Sequence, residues 1–199
     1  MTSRRNPYAR PDRFTRAAKD AGFPARSVYK LEEIDRRVHL LRGGMRVLDL
    51  GATPGSWASY AAQRVGPQGH VLAIDLEPIG TTLPPHAVFV QGDALSLTND
   101  DLARFAPYDV VLSDMAPKTT GNRVTDQARS FDLFMRALAV AGALGAPGGA
   151  FVGKIFMSGD MPAAREEVRR LYETERLIRP EGTRSVSYEI FSIGQRKRA

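Results

Sequence analysis

Short apolar runs bounded by glycine and proline recur along the chain, and between them the apolar positions repeat at helical spacing. The first run, Val47, Leu48 and Leu50, lies in RVLDLGATPGSW and is followed by Trp57, Ala58, Tyr60, Ala61 and Ala62. A run of this kind predicts a strand buried on both faces of a parallel sheet, then a glycine turn, then a helix over about 55–65. The alternation continues. Further strands are expected over 70–75, 87–91, 109–113, 150–156, 175–179 and 187–193. Helices are expected over about 13–20, 25–38, 98–105, 126–144 and 161–172. On the second helix Val28, Leu31, Ile34 and Val38 form the apolar stripe, with Arg26, Glu33 and Arg37 opposite and Lys30 at the stripe's edge. In the last strand Val186, Tyr188 and Ile190 fall on one face, and Ser187, Glu189 and Phe191 on the other. Regular alternation of strand and helix predicts a doubly wound α/β sheet with helices on both faces. The final strand, joined by a loop alone, is expected to run antiparallel.

Composition narrows the class. The chain has 199 residues, 43% hydrophobic and 25% charged, which fits one domain with an appendage. Gly43-Gly44 separates residues 1–42, a basic arm and helix, from a sheet domain over 43–199. No apolar run approaches the roughly 18 residues of a membrane span, and the N-terminus has no apolar signal region, so a cytoplasmic protein without membrane contact is expected. The absence of cysteine excludes disulfides, thiolate metal sites and cysteine nucleophiles. His39, His70 and His86 lack metal-ligand spacing, so no metal site is expected. The formal net charge is +6 and the pI about 9.9. Residues 1–42 hold 11 Lys/Arg against 5 Asp/Glu, while the rest of the chain holds 17 of each. A basic arm on a neutral body points to phosphate-backbone binding, in this reading through Arg4, Arg5, Arg10, Arg13, Arg16, Lys19 and Arg26, helped by Lys118 and Arg123. A merely solvated leader is the alternative.

The chemistry lies at the strand ends. Gly51 and Gly55 can bring bare backbone against a ligand. Their turn is not G-x-G-x-x-G, which argues against a nicotinamide dehydrogenase. Asp75 ends the second strand 24 positions after Gly51, where an acid accepts hydrogen bonds from ribose hydroxyls; Glu77 competes for that role. Asp93, after the third strand, suits either an adenine amino group or the cap of the next helix. Asp114 follows the fourth strand at the carboxyl edge, where open α/β sheets place ligands. Lys154 stands inside an apolar strand, a costly position for an ammonium unless it is paired or loses its proton. Glu189 is a mid-strand charge that needs a cation. With strand order 3-2-1-4-5-7-6 the strands carrying Asp114, Lys154 and Glu189 are neighbours, and the leading helix can deliver Lys30 to the same rim.

The segments ARSVYKLEEID, VLDLGATPGSWASY, AIDLEP, QGDA, VVLSDMAPKTTGN, GGAFVGKIF and SVSYEIF together resemble the FtsJ/RrmJ (RlmE) family of ribosomal RNA 2′-O-ribose methyltransferases. The resemblance runs from about Phe14 to Lys197. It implies a Rossmann-like class I methyltransferase fold using S-adenosyl-L-methionine, and a uridine 2′-hydroxyl of bacterial 23S rRNA as target, with a monomer acting in the large ribosomal subunit. It maps a Lys-Asp-Lys-Glu catalytic tetrad onto Lys30, Asp114, Lys154 and Glu189, with Lys154 as general base. It maps cofactor contacts onto Gly55, Trp57, Asp75, Asp93 and Asp114. Ser56 stands where many members carry glycine, Thr53 where alanine is common, and the last strand is about one residue shorter after Glu189. The sulfonium methyl is already activated, so the reaction itself calls for no metal. Two rivals share part of this pattern. One keeps the chemistry on another RNA, a transfer RNA or an mRNA cap. The other, a non-catalytic RNA-binding ribosome-assembly factor, explains the charge but not Lys154.

Overall fold

The computed structural model describes residues 13–184 and 187–199. Helices α1 (Arg13–Asp20) and α2 (Val28–Val38) precede β1 (Arg46–Leu50), α3 (Ser56–Val65), β2 (His70–Asp75), β3 (Ala87–Gln91) and α4 (Asn99–Leu102). Then come β4 (Tyr108–Ser113), α5 (Arg123–Leu144), β5 (Gly145–Phe156), α6 (Met161–Leu171), β6 (Tyr172–Ile178) and β7 (Glu189–Lys197). Among the described residues the strands form one seven-stranded sheet in the order β3-β2-β1-β4-β5-β7-β6. Strands β1 to β5 pair in parallel, and β7 runs antiparallel to both β5 and β6. Order and polarity are those expected from the sequence.

Side-chain alternation divides the core into two layers. Val47, Val110, Leu112, Val152, Phe191 and Ile193 face α2 and α3. Leu48, Leu50, Val111, Phe151 and Ile155 face α5 and α6. The parity matters for function: Asp49, Lys154 and Glu189 each stand two positions from a residue of the first set, on the face that α2 and α3 cover. Asp114 follows Leu112 by the same step.

Several boundaries differ from expectation. Helix α2 starts at Val28 rather than near 25; ahead of it the Ala25 carbonyl accepts from the Ser56 hydroxyl as well as the Val28 amide, and the Ser27 carbonyl from the Trp57 indole N–H as well as the Lys30 amide. Helix α4 is a single turn instead of reaching 105. The Tyr108 hydroxyl donates to the Leu102 carbonyl, and the Ala106 amide turns to Ala103. Strand β7 begins at Glu189, so that residue opens the strand instead of lying within it. Glu33, expected on the exposed side of α2, is 7% exposed; it pairs with Arg37 and accepts from the Glu181 backbone N–H. Arg4, Arg5, Arg10 and Val186 lie outside the described residues.

The seam between α2 and α3 is polar at one point. Asp35, 3% exposed, accepts from the Leu41 amide at 2.8 Å, and from the Tyr60 hydroxyl and Arg64 Nε at 2.9 Å each. Burial, and then the bond to Asp35, raise the Tyr60 hydroxyl's pKa above its ordinary value. Asp35→Ala strands the Leu41 amide and the Tyr60 hydroxyl. It is expected to lower unfolding free energy by roughly 2–3 kcal/mol in urea titrations, and a change within experimental error contradicts this role.

Candidate active site

Two cavities open side by side at the carboxyl edge of the sheet. The first, about 340 Å³, lies over the ends of β1, β2 and β4 and is lined by Gly51, Asp75, Asp93 and Asp114 together with Ile74, Leu95 and Met115. Its walls hold three carboxylates and no lysine or arginine. Asp75 is oriented by the amides of Thr53 at 2.9 Å and Glu77 at 3.0 Å. Of the two acids that compete after β2, Asp75 therefore faces the cavity, while Glu77 offers a backbone carbonyl to the Thr53 hydroxyl. Asp93 opens a turn, accepting from the Leu95 amide; Thr98, not Asp93, caps α4. Gly51 is required by space. Its φ is +81°, and a Cβ there would stand 2.8 Å from the Met115 amide nitrogen.

Gly55 and Trp57 do not line this cavity. Gly55 caps α3 at φ +108°, and a Cβ there would collide with the Thr81 side chain. Trp57 is 2% exposed, packs on Phe191 at 5.6 Å between ring centroids and donates to the Ser27 carbonyl. Ser56, where glycine was the common residue of the resemblance, uses its hydroxyl to accept from the Ala25 amide and donate to the Ala25 carbonyl. It ties the segment before α2 to the start of α3.

The second cavity, about 410 Å³, is lined by Lys154, Glu189, Asp126, Gln127, Arg123 and Tyr188 among others; Ala116 lines both cavities. The boundary between them is an ion pair. Lys154 Nζ lies 2.8 Å from Asp114 Oδ1 and donates to the Asp114 backbone carbonyl. Their side chains are 7% and 16% exposed. Beside it, Lys30 pairs with Glu189, with both side chains 12% exposed, and its ammonium lies 5.9 Å from the centre of the Phe191 ring. Across the β5–β7 ladder Lys154 is opposite Phe191, and Phe156 is opposite Glu189. The structure thus brings Lys30, Asp114, Lys154 and Glu189 together as two cation–carboxylate pairs. Each ammonium has its own counter-ion, so the two lysines do not meet as bare like charges.

One group escapes the sequence reading. Asp49, in the middle of β1, is 0% exposed, and neither carboxylate oxygen has a hydrogen-bond partner among the described residues. Burial, then the charges of Asp114 and Asp75, push its pKa well above the ordinary carboxylate value, against a smaller pull from the Ala58 amide. The signal that singled out Lys154, a charge inside an apolar run, was present here too. Asp49 is therefore expected to stay protonated in the folded chain where the unfolded chain ionises. Its contribution to stability is full below the ordinary carboxyl range and declines as pH rises, by up to about 1.4 kcal/mol per pH unit. Asp49→Asn lacks this loss. The stability of the variant relative to the parent, from urea unfolding, is expected to grow between about pH 4 and pH 7; a constant or shrinking difference contradicts a protonated Asp49.

Known proteins resemble this chain over most of its length. A ribosomal RNA large subunit methyltransferase E from Sorangium cellulosum is 67% identical over 195 residues, covering 98% of this chain and 92% of that protein. The enzyme of the same name from Oleidesulfovibrio alaskensis is 48% identical over 186 residues, covering 92% of this chain and 90% of that protein. Among solved structures, a Plasmodium falciparum protein described as a ribosomal RNA methyltransferase superposes with a TM-score of 0.77 at 20% identity, covering 88% of this chain and 98% of that one, a likeness of fold. The model of the FtsJ-like methyltransferases matches residues 23–197, a span that includes both cavities and both ion pairs, and the chain belongs to that family.

Proposed function

We propose that this methyltransferase moves a methyl group from S-adenosylmethionine to a ribose 2′-hydroxyl of large-subunit ribosomal RNA. One observation carries the reading. The Asp114–Lys154 pair joins a cavity suited to the donor to a cavity suited to the acceptor, with one member of the pair facing each.

The first cavity fits a cationic nucleoside. Carboxylates at Asp75, Asp93 and Asp114 can accept from ribose hydroxyls, an adenine amino group and an ammonium, while Ile74, Leu95 and Met115 offer apolar surface to a flat base. The same carboxylates oppose a dinucleotide, whose pyrophosphate would enter an acidic site with no basic side chain. When bound, the donor supplies a methyl group on a positively charged sulfur, ready for in-line displacement.

The protein's part is placement and proton handling. Lys154, held by Asp114, accepts the 2′-hydroxyl proton once its own proton has left, and Asp114 fixes where Nζ points. Lys30 and Glu189, paired next to it, are placed to orient the ribose and an adjoining phosphate. Aligning the two reactants accounts for several kcal/mol of the barrier. The basic leader over 1–42 holds RNA phosphates, with Arg26 and Lys30 lining a further cavity of about 310 Å³ on the other side of Glu189. The large-subunit substrate is the one named for the 67% and 48% identical relatives.

The test is transfer of labelled methyl groups to large-subunit rRNA lacking its modifications. Lys154→Ala is expected to lower kcat by roughly 10²–10⁴-fold while donor affinity, read by calorimetry, stays within about threefold. Turnover near that of the parent contradicts the assignment of the base. In the same assay the KM for RNA is expected to rise at least roughly tenfold between about 50 and 200 mM salt, because cation–phosphate contacts release counter-ions. A KM indifferent to salt contradicts the role of the leader.

A further inference from the structure

The rim of the second cavity carries a pair that neither the ion pairs nor the proton chemistry uses. Tyr188, immediately before Glu189, is 47% exposed. The Arg123 guanidinium stacks on its ring, 4.3 Å from the centroid. Both residues line the cavity together with Lys154 and Glu189. A single exposed aromatic is ordinary on a protein surface; its fixed position at this mouth is not. The Tyr188 carbonyl accepts from the Met157 amide at 2.8 Å, just past the end of β5. The next amide, that of Glu189, donates to the Ser187 hydroxyl at 3.2 Å. The peptide group that follows the ring is thus held at both its carbonyl and its amide.

Arg123 is equally particular. It is the first residue of α5, where the helix dipole disfavours a cation. Asn122 already caps the helix by accepting from the Val124 and Thr125 amides. The arginine therefore does nothing for the helix that the cap has not done. What it does is cover one face of the Tyr188 ring while much of that residue stays open to the cavity mouth.

We propose that Tyr188, backed by Arg123, is a stacking platform for a nucleobase of the RNA bound in this cavity. The chemistry is complementary. The floor, with Lys154, Glu189 and Gln127, is polar and suits a hydroxylated sugar; the rim presents a flat π-surface and a cation, which suit a base and its phosphate. Stacking tolerates any base, so the platform sets how firmly the nucleotide is held and in what pose, and leaves sequence choice to other contacts. This inference rests on RNA being the acceptor.

The experiment is steady-state methylation of in-vitro-transcribed large-subunit rRNA by the full chain and four variants. Tyr188→Phe and Tyr188→Trp keep a ring and are expected to keep the parent's KM for RNA within about threefold. Tyr188→Leu keeps apolar bulk without a ring and is expected to raise that KM roughly tenfold or more, as is Tyr188→Ala, with donor affinity and melting temperature unchanged. A merely structural role predicts that Leu substitutes for Tyr, and that outcome overturns the proposal. A second reading needs no turnover. Indole emission of Tyr188→Trp, taken against the parent's Trp57 background, is expected to be quenched on titration with the same rRNA. Methylation by the parent with no effect of Tyr188→Leu sinks the platform and leaves the acceptor assignment standing. Absence of any RNA methylation, with no quenching, sinks both.

Discussion

A lysine inside an apolar strand has to find a carboxylate, and much of this site is arranged to let it do so. Lys154 points from β5 toward the helices α2 and α3, into a largely apolar layer. Burying that ammonium alone would cost several kcal/mol. The parallel pairing of β4 with β5 places Gly153 beside Ser113, so the residue after Ser113 can reach Lys154. That residue is Asp114. The antiparallel return of β7 then puts Glu189 across from Phe156, where Lys30 from α2 closes the second pair. The strand order is thus what makes the chemistry affordable to the fold: moving β7 elsewhere would leave two buried charges without partners.

The two cavities inherit opposite characters from this arrangement. On the β1–β2–β4 side three carboxylates line the wall, and burial, then the charges of two of them, Asp114 and Asp75, raise the pKa of Asp49. A site so acidic favours a cationic ligand. On the β5–β7 side ammonium and carboxylate alternate, and an arginine and an aromatic ring stand at the rim. That surface suits a sugar with its base and phosphate. The shared wall at Ala116 and the Asp114–Lys154 pair mean that whatever occupies one cavity meets the occupant of the other at a lysine.

Much of this was legible in the sequence because strand ends obey periodicity. Val47 to Leu50 and Ala150 to Phe156 announce buried strands, the alternation of elements carries the doubly wound sheet, and the loop that alone joins β7 carries its reversal. Lys154 stood out as a charge in the wrong surroundings, and its neighbours followed from topology. What periodicity does not encode is who receives a carbonyl. The carbonyls just before α2 receive Ser56 and Trp57, about 30 residues away in sequence, and the last carbonyl of α4 receives the Tyr108 hydroxyl. Glu33 looked exposed because its partner, the Glu181 amide, arrives from the far end of the chain. Asp49 carries the same signal in the sequence as Lys154, a charge within an apolar run, but its charged neighbours, Asp114 and Asp75, are near only in space. Gly55 and Trp57 belong to the motif, and that the one closes on Thr81 and the other packs on Phe191 requires coordinates.

The central claim is that one ion pair joins a donor cavity to an acceptor cavity. A crystal structure of the chain with S-adenosylmethionine tests it most directly. The nucleoside is expected to lie along Asp75 and Asp93, with the methyl group directed past Asp114 into the cavity of Lys154. An acceptor oxygen roughly 3–3.5 Å from that methyl should then fall within hydrogen-bond reach of Nζ. A donor bound with its methyl group turned toward β3, or seated away from Asp114 altogether, would contradict it.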